Sequence, residues 1–193
     1  MKKKIAFYGY PPTEQIHQYK KKTFDFIDLD IDFKAPDRGY LPSTTCQIIK
    51  NIINNALYFK DEIELIIATV GEDKCDNGRF IAHLLKNEFG FNVIETSNTN
   101  LKKKPTHLCD SSLPLKDKVL NVMNNIILEK DFSHLIPIKG EFGFWGVPPN
   151  DLSILEIFPD STLVFGWIRC VEAGVPSDLK LETYVPKNLK TVF

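Results

Sequence analysis

The chain has no apolar run near the roughly 18 residues that a membrane span needs, no paired-cysteine motif and no glycine-rich phosphate signature. Each lack excludes something. Without the long run, no spanning helix and no membrane partner are expected. The four cysteines, Cys46, Cys75, Cys109 and Cys170, contain no CxxC and are spaced too widely for a structural zinc set. With GxxxxGK[ST] and GxGxxG both missing, P-loop and dinucleotide binding lose their usual markers. One-sided charge is missing too: 24 Lys and Arg against 25 Asp and Glu leave a formal net charge of -1. The basic triplets Lys2–Lys4, Lys20–Lys22 and Lys102–Lys104 are too short for a footprint on nucleic acid and read as solvated edges. No internal repeat, low-complexity tract or linker divides the chain.

What is there fits one globular domain over residues 1–193, with 43% hydrophobic and 25% charged residues. The opening MKKKIAFYGYPP starts basic, but its apolar part is far shorter than that of a signal peptide and stops at Pro11-Pro12. It reads as a first strand, and the protein is expected to be cytoplasmic with its cysteines as thiols. Cys46 and Cys170 lie among apolar neighbours and are expected in the core.

The run TFDFIDLDIDF alternates apolar residues with Asp25, Asp28, Asp30 and Asp32, which predicts an edge strand with one wet face. Ser43 or Thr44 then signals a helix start, and Ile48, Ile49, Ile52, Ile53, Ala56 and Leu57 follow at helical spacing. The continuous run IELIIATV predicts a strand covered on both faces. A helix starting near Asp76 should bury Phe80, Ile81, Leu84 and Leu85 and end at Gly90 in a left-handed turn. FNVIET is a further strand. Pro114 opens a helix whose inner face is Val119, Val122, Met123, Ile126 and Ile127. HLIPI and STLVFGWIRCV are expected strands, and LKLETYVPKNLKTVF an added edge strand and tail. This alternation predicts an α/β fold: a mostly parallel, Rossmann-like sheet with helices on both faces.

In such sheets ligands sit beyond the carboxyl ends of the strands. The expected rim carries Gly9 after the first strand; Gly71, Glu72, Asp73, Cys75, Asp76 and Gly78 after the third; Ser97 and Asn98 after the fourth; Gly140, Glu141, Phe144 and Trp145 after the fifth; and Arg169 after the last. In TVGEDKCDNGRF the glycines allow a tight turn, while the helix start favours an anion. Glu72, Asp73 and Asp76 crowd the same turn and repel a phosphate, so the ligand expected there is a divalent metal ion, an amine or a hydroxyl-rich group. The alternative is plain: Asp76 caps the helix and Asp73 makes a turn. Cys75 stands at a helix start, which lowers its pKa, among carboxylates, which raise it. IKGEFGFWGVPPND, rich in glycine and aromatics, reads as a loop. Phe144 and Trp145 would stack on a flat ligand or close over it, Glu141 would serve in acid–base work and Arg169 would clamp a carboxylate or phosphate. The rim reading holds only if successive parallel strands bring the cysteine turn and the Phe-Trp segment together.

The stretch ATVGEDKCDNGRFIAHLLKNEFGFNVIET resembles the start of the cobalamin-binding domains of corrinoid proteins. That family has DxHxxG after a strand, then a helix, then a GF-V strand. Asp73, Asp76 and Gly78 match, followed by GFNVIE; Ser111-Ser112-Leu113 is similar to the family's SxL, and Gly140 to the first residue of its GG pair. The resemblance implies a corrinoid cofactor. Cys75 stands where the family has its cobalt-ligating histidine, and Glu141 replaces the second glycine.

Three functions follow. The first is a small-molecule enzyme of the transferase or hydrolase type, with Asp73, Cys75, Asp76 and Glu141 as its catalytic set. The second is a corrinoid-type carrier. The third is a non-catalytic binding or assembly module, whose apolar loop would meet a partner, a second copy of the chain included.

Overall fold

A computed structural model describes residues 3–22, 24–71, 75–97, 107–145, 149, 151–165 and 189–193. Its helices alternate with strands, and every strand pairing among them is parallel, so the expected α/β class holds. The residues gather into two compact units, Met1–Asn98 and Thr99–Phe193, each with a parallel sheet.

The first unit runs β1 (Lys4–Tyr8), α1 (Thr13–Lys20), β2 (Asp25–Asp28), α2 (Gln47–Tyr58), β3 (Ile63–Thr69), α3 (Asp76–Asn87) and β4 (Val93–Thr96). Its sheet order is β2-β1-β3-β4. The two central strands are the two most apolar runs: Ile5 to Tyr8 and Leu65 to Thr69 are buried without interruption, as double-sided cover requires. Register sets Tyr8 beside Ala68 and Phe7 beside Ile67. The chain crosses from β1 to β2 in one direction and from β2 through β3 to β4 in the other. Right-handed crossovers therefore put α1 on one face and α2 and α3 on the opposite face. Two contacts agree: α2 packs on α3, and the Tyr8 ring reaches α3 at Gly78.

Several expectations are corrected here. The alternating acidic run stops being a strand at Asp28, although β2 is an edge strand as expected. Leu29 and Asp30 turn inward, and the Asn55 side chain donates to the carbonyls of Leu29 (2.9 Å) and Ile31 (2.6 Å). Ser43 and Thr44 do not start α2. The chain turns through Pro42 to Thr45, and the helix begins at Gln47 behind an exposed Cys46, so that cysteine is not in the core. In α3 the buried stripe is Gly78, Ile81, Ala82 and Leu85, whereas Phe80 is 56% exposed. The small residues Gly78 and Ala82 continue the i, i+3, i+4, i+7 pattern, and Phe80 falls outside it. Gly90 has φ +68, the left-handed exit that its position predicts.

The second unit runs α4 (Leu115–Leu128), β5 (Phe142–Trp145), a 3-10 helix (Leu152–Ile157), β6 (Thr162–Phe165) and β7 (Thr191–Val192), with sheet order β6-β5-β7. HLIPI is not a strand. Ile136 is 80% exposed, Pro137 interrupts the run, and the Ile138 N–H donates to the Asp110 carbonyl instead of a ladder. The segment read as an aromatic loop supplies the strand. Phe142 and Phe144 alternate with Gly143 and share a face, where the rings of Phe142, Phe144, Phe158 and Phe193 form one chain of contacts at 4.9 to 6.2 Å. The terminal edge strand appears as expected: β7 pairs with β5, and the Phe193 carbonyl accepts the Trp145 N–H at 2.7 Å.

Gly140 has a steric reason to be glycine. A Cβ there would lie 2.5 Å from the Leu163 side chain and 2.7 Å from the Ser161 carbonyl oxygen. A side chain could swing away, but that backbone oxygen could not. Gly140→Ala should destabilise the protein by about 2 kcal/mol, read as a lower midpoint in urea with an unchanged slope; an unchanged midpoint would refute the close approach.

Candidate functional site

At the centre of the first sheet, β1 and β3 are neighbours whose chains depart to opposite faces, β1 into α1 and β3 into α3. That is the switch point at which doubly wound sheets open a crevice. Gly9 leaves β1 with φ +74, and its N–H donates to Asp30 Oδ2 at 3.0 Å. Asp30 is buried, and its own N–H donates to Asp28 Oδ1 at 3.1 Å. The Tyr8 hydroxyl donates to the Gly78 carbonyl at 2.6 Å and so ties β1 to the first turn of α3. Burial, then the charges of Asp30 and Glu95, push the Tyr8 pKa far above its ordinary value, so the hydroxyl stays a donor.

The expected site residues of this unit fall along the same edge. Gly71 follows Val70, whose N–H donates to the Thr96 carbonyl at 2.7 Å; Ser97 lies exposed just beyond β4. Cys75 is half-buried in extended backbone as the residue before α3, and Asp76 is exposed in the first turn. The Gly78 N–H donates to the Cys75 carbonyl at 2.9 Å. Among the described residues no side-chain cap of α3 is seen, and Asp76 lies inside the first turn rather than at the cap position, which Cys75 takes. α1 is likewise uncapped, behind Pro11 and Pro12. Glu72, Asp73, Asn98 and Arg169 lie outside the described residues.

Gly140, Glu141, Phe144 and Trp145 belong to the second unit. Glu141 is exposed and paired with Lys190 at 2.9 Å, and its carbonyl accepts the Lys190 N–H. Phe144 is buried in the sheet and Trp145 half-buried. The surprise of this unit is Lys118, fully buried on the inner face of α4 among Leu115, Val119 and Val122. Its ammonium donates to the carbonyls of Thr162 at 2.7 Å and Asp160 at 3.2 Å. Burial pushes its pKa down to about 8, against the pull of Cys109, Asp110 and Asp160. Burial also raises the Asp110 carboxyl, against the charges of Lys118 and His107.

Among the described residues, no three His, Cys, Asp or Glu side chains gather as metal ligands. His107, Cys109 and Asp110 are close in sequence, but Cys109 is fully buried while His107 Nδ1 lies 3.1 Å from the Leu135 carbonyl oxygen. A shallow cavity of about 460 Å³ is lined by Glu14, His17, Gln18, Lys21 and Lys22. It lies along the outer side of α1, walled by long exposed side chains rather than by strand ends.

Sequence reasoning missed Tyr8, Asp30 and Lys118. Tyr8 carried a usable signal, since it directly precedes the glycine that ends a buried strand. Asp30 is one of four aspartates in an alternating run, and nothing local separates it from the wet ones. Lys118 lies between Leu115 and Val119 on the apolar stripe, which marks it as inward-facing in a helix. Compared with protein-family models and with curated proteins, the chain matches none.

Between pH 8 and the ordinary lysine value of 10.5, the unfolded chain carries a proton on Lys118 that the folded chain lacks. Stability should therefore rise with pH through that window, by at most about 3 kcal/mol. Urea unfolding at successive pH values checks this: the rise should vanish in Lys118→Met, and an equal rise in that variant would assign it to another group.

Proposed function

We propose that the protein is a cytoplasmic small-molecule enzyme, of the transferase or hydrolase type, acting on a polar metabolite at the carboxyl ends of the parallel strands in its first unit. The observation that carries this reading is the switch point itself. Gly9 turns left-handed off β1, and the uncapped starts of α1 and α3 flank the edge on its two faces. Cys75 is the candidate nucleophile, because a helix start lowers a thiol's pKa. Asp73 and Asp76 are candidates for acid–base work.

Phosphate is a poor fit for the ligand. Asp30 already occupies the Gly9 N–H, Pro11 and Pro12 have none to offer, and Asp76 adds like charge. A neutral or cationic metabolite, rich in hydroxyl or amine groups, meets no such opposition.

A corrinoid carrier is the second reading. Its support is local: Asp76 and Gly78 match the motif, and the Gly90 turn delivers buried Phe91 and then Val93 into β4, which sets GF-V at a helix-to-strand junction. The residues present do not reproduce the family's ligand set. Cys75 offers a thiol in place of the imidazole, Ser111 Oγ donates to the Leu108 carbonyl at 2.9 Å, and Gly140 is packed against Leu163. For a divalent metal, Cys75 and Asp76 are the donors of this turn among the described residues. An assembly module, with Trp145 at a partner surface or an interface between copies, is the remaining alternative.

Native mass spectrometry of freshly purified protein should show a retained small molecule without phosphate. Cys75→Ala and Asp76→Ala should each weaken its binding about tenfold or more, equal to roughly 1.4 kcal/mol, with the melting temperature unchanged. Variants that melt early yet keep the ligand would make these residues structural. A visible corrinoid spectrum after reconstitution would favour the carrier instead.

A further inference from the structure

The sheet buries a hydroxyl that the fold does not use. Thr69 ends β3 at the carboxyl edge, is fully buried, and its Oγ has no hydrogen-bond partner among the described residues. A buried hydroxyl left unbonded destabilises the folded state, so its retention at a strand end calls for a reason. Its direction follows from register. Ala68 pairs with Tyr8, whose ring contacts α3, so Ala68 faces α3 and Thr69 faces the opposite side, the side of α1. Tyr8 and Ala68 are the last registered pair, so Thr69 and Gly9 are the residues that follow it on the two strands, and the Asp30 carboxylate is anchored at Gly9.

A second atom on that side is in the same condition. Gln15 lies in the first turn of α1, and its Oε1 is buried with no hydrogen-bond partner among the described residues. The α1 side of the switch point thus holds a carbonyl oxygen and a hydroxyl oxygen, and the Asp30 carboxylate is anchored at the same strand end through the Gly9 N–H. All three accept hydrogen bonds. The groups that would bind an anion are suppressed there: the Gly9 N–H is taken, two prolines precede α1, and Glu14 lies in its first turn.

We infer that Thr69, Gln15 and Asp30 form a subsite for a primary ammonium group, so that the metabolite bound at this edge is an amine. An ammonium brings three N–H donors and one positive charge, which matches three acceptors of which one is a carboxylate. A hydroxyl brings one donor, and a phosphate at neutral pH brings acceptors and negative charge. The inference rests on the reading of the first unit's edge as a ligand site and adds the ligand's chemical class.

The test pairs amines with their hydroxyl counterparts on the whole chain. Ethanolamine, putrescine and glucosamine are titrated against ethylene glycol, butanediol and glucose, with glucose 6-phosphate as the anionic probe, and melting temperature is read throughout. At least one amine should raise the melting temperature saturably, about tenfold more tightly than its hydroxyl partner, with no response to the phosphate. Thr69→Val keeps the side-chain shape. It should raise the melting temperature of the ligand-free protein and lose the amine response; Gln15→Leu should lose that response too, and it decides the matter if Thr69→Val fails to fold. Responses to hydroxyl or phosphate probes that match the amines, no response to any amine, or amine responses intact in both variants would each overturn the subsite. A retained ligand that lacks an amine but is lost in Asp76→Ala would sink this inference and leave the enzyme reading standing; no ligand of any kind would sink both.

Discussion

The first unit depends on one constraint: β1 and β3 are paired at the centre of a sheet and buried on both faces. A strand in that position can expose neither an unpaired N–H nor a charged side chain. Apart from Lys4 and Glu64 near their starts, both strands therefore run buried, from Ile5 to Tyr8 and from Leu65 to Thr69, and polar chemistry is pushed to where they stop. Gly9 and Thr69 stand at those stops, and Asp30 is drawn in from the end of β2 to satisfy the Gly9 N–H. The same constraint separates the helices. Because the outer strands lie on opposite sides of the central pair, α1 must leave toward one face while α2 and α3 take the other. The switch point at this edge follows from the topology and requires no dedicated loop.

Burial of polar groups follows two patterns in this molecule. Lys118 is buried but served: two carbonyls accept from its ammonium, and nearby acidic groups favour its charge. Such a group holds a chain turn in place, and its lowered pKa is a consequence of that duty. Asn55 is of the same kind, since its side-chain amide holds the carbonyls of Leu29 and Ile31 after β2. Thr69 and Gln15 differ, because their buried oxygens serve no contact among the described residues. Structural duty explains the first pair completely. It does not explain the second, and that difference puts weight on the α1 side of the edge.

The secondary structure was legible in proportion to how far local pattern and burial agree. IELIIATV, KKIAFY and the stripe of the second helix each combine a clear apolar pattern with a largely buried stretch, and each forms the expected kind of element. Misreadings occurred where composition stood in for period. KGEFGFWG contains enough glycine to resemble a loop, yet Phe142 and Phe144 alternate as a strand requires, and Gly140 answers to Leu163 and Ser161 rather than to a turn. HLIPI has the composition of a strand but no partner for its ladder, and Ile136 faces solvent. Cys46 has apolar neighbours in sequence, but it precedes a helix and so lies outside the stripe that follows.

The candidate site was legible only in outline. Strand order and the glycines led to the carboxyl edge, and Gly9, Gly71, Cys75, Asp76, Gly78 and Ser97 all lie along it. What sequence could not supply was which acidic or hydroxyl groups turn inward. Asp30 and Asp32 are alike in the sequence, two residues apart in an alternating run. One is buried against Gly9 and the other pairs with Lys34 at the surface, because the strand ends at Asp28 and the alternation ends with it. A period predicts facing only while the element lasts. Functional groups in a parallel sheet gather where the elements end, so their orientation is set by tertiary contacts that no local pattern encodes.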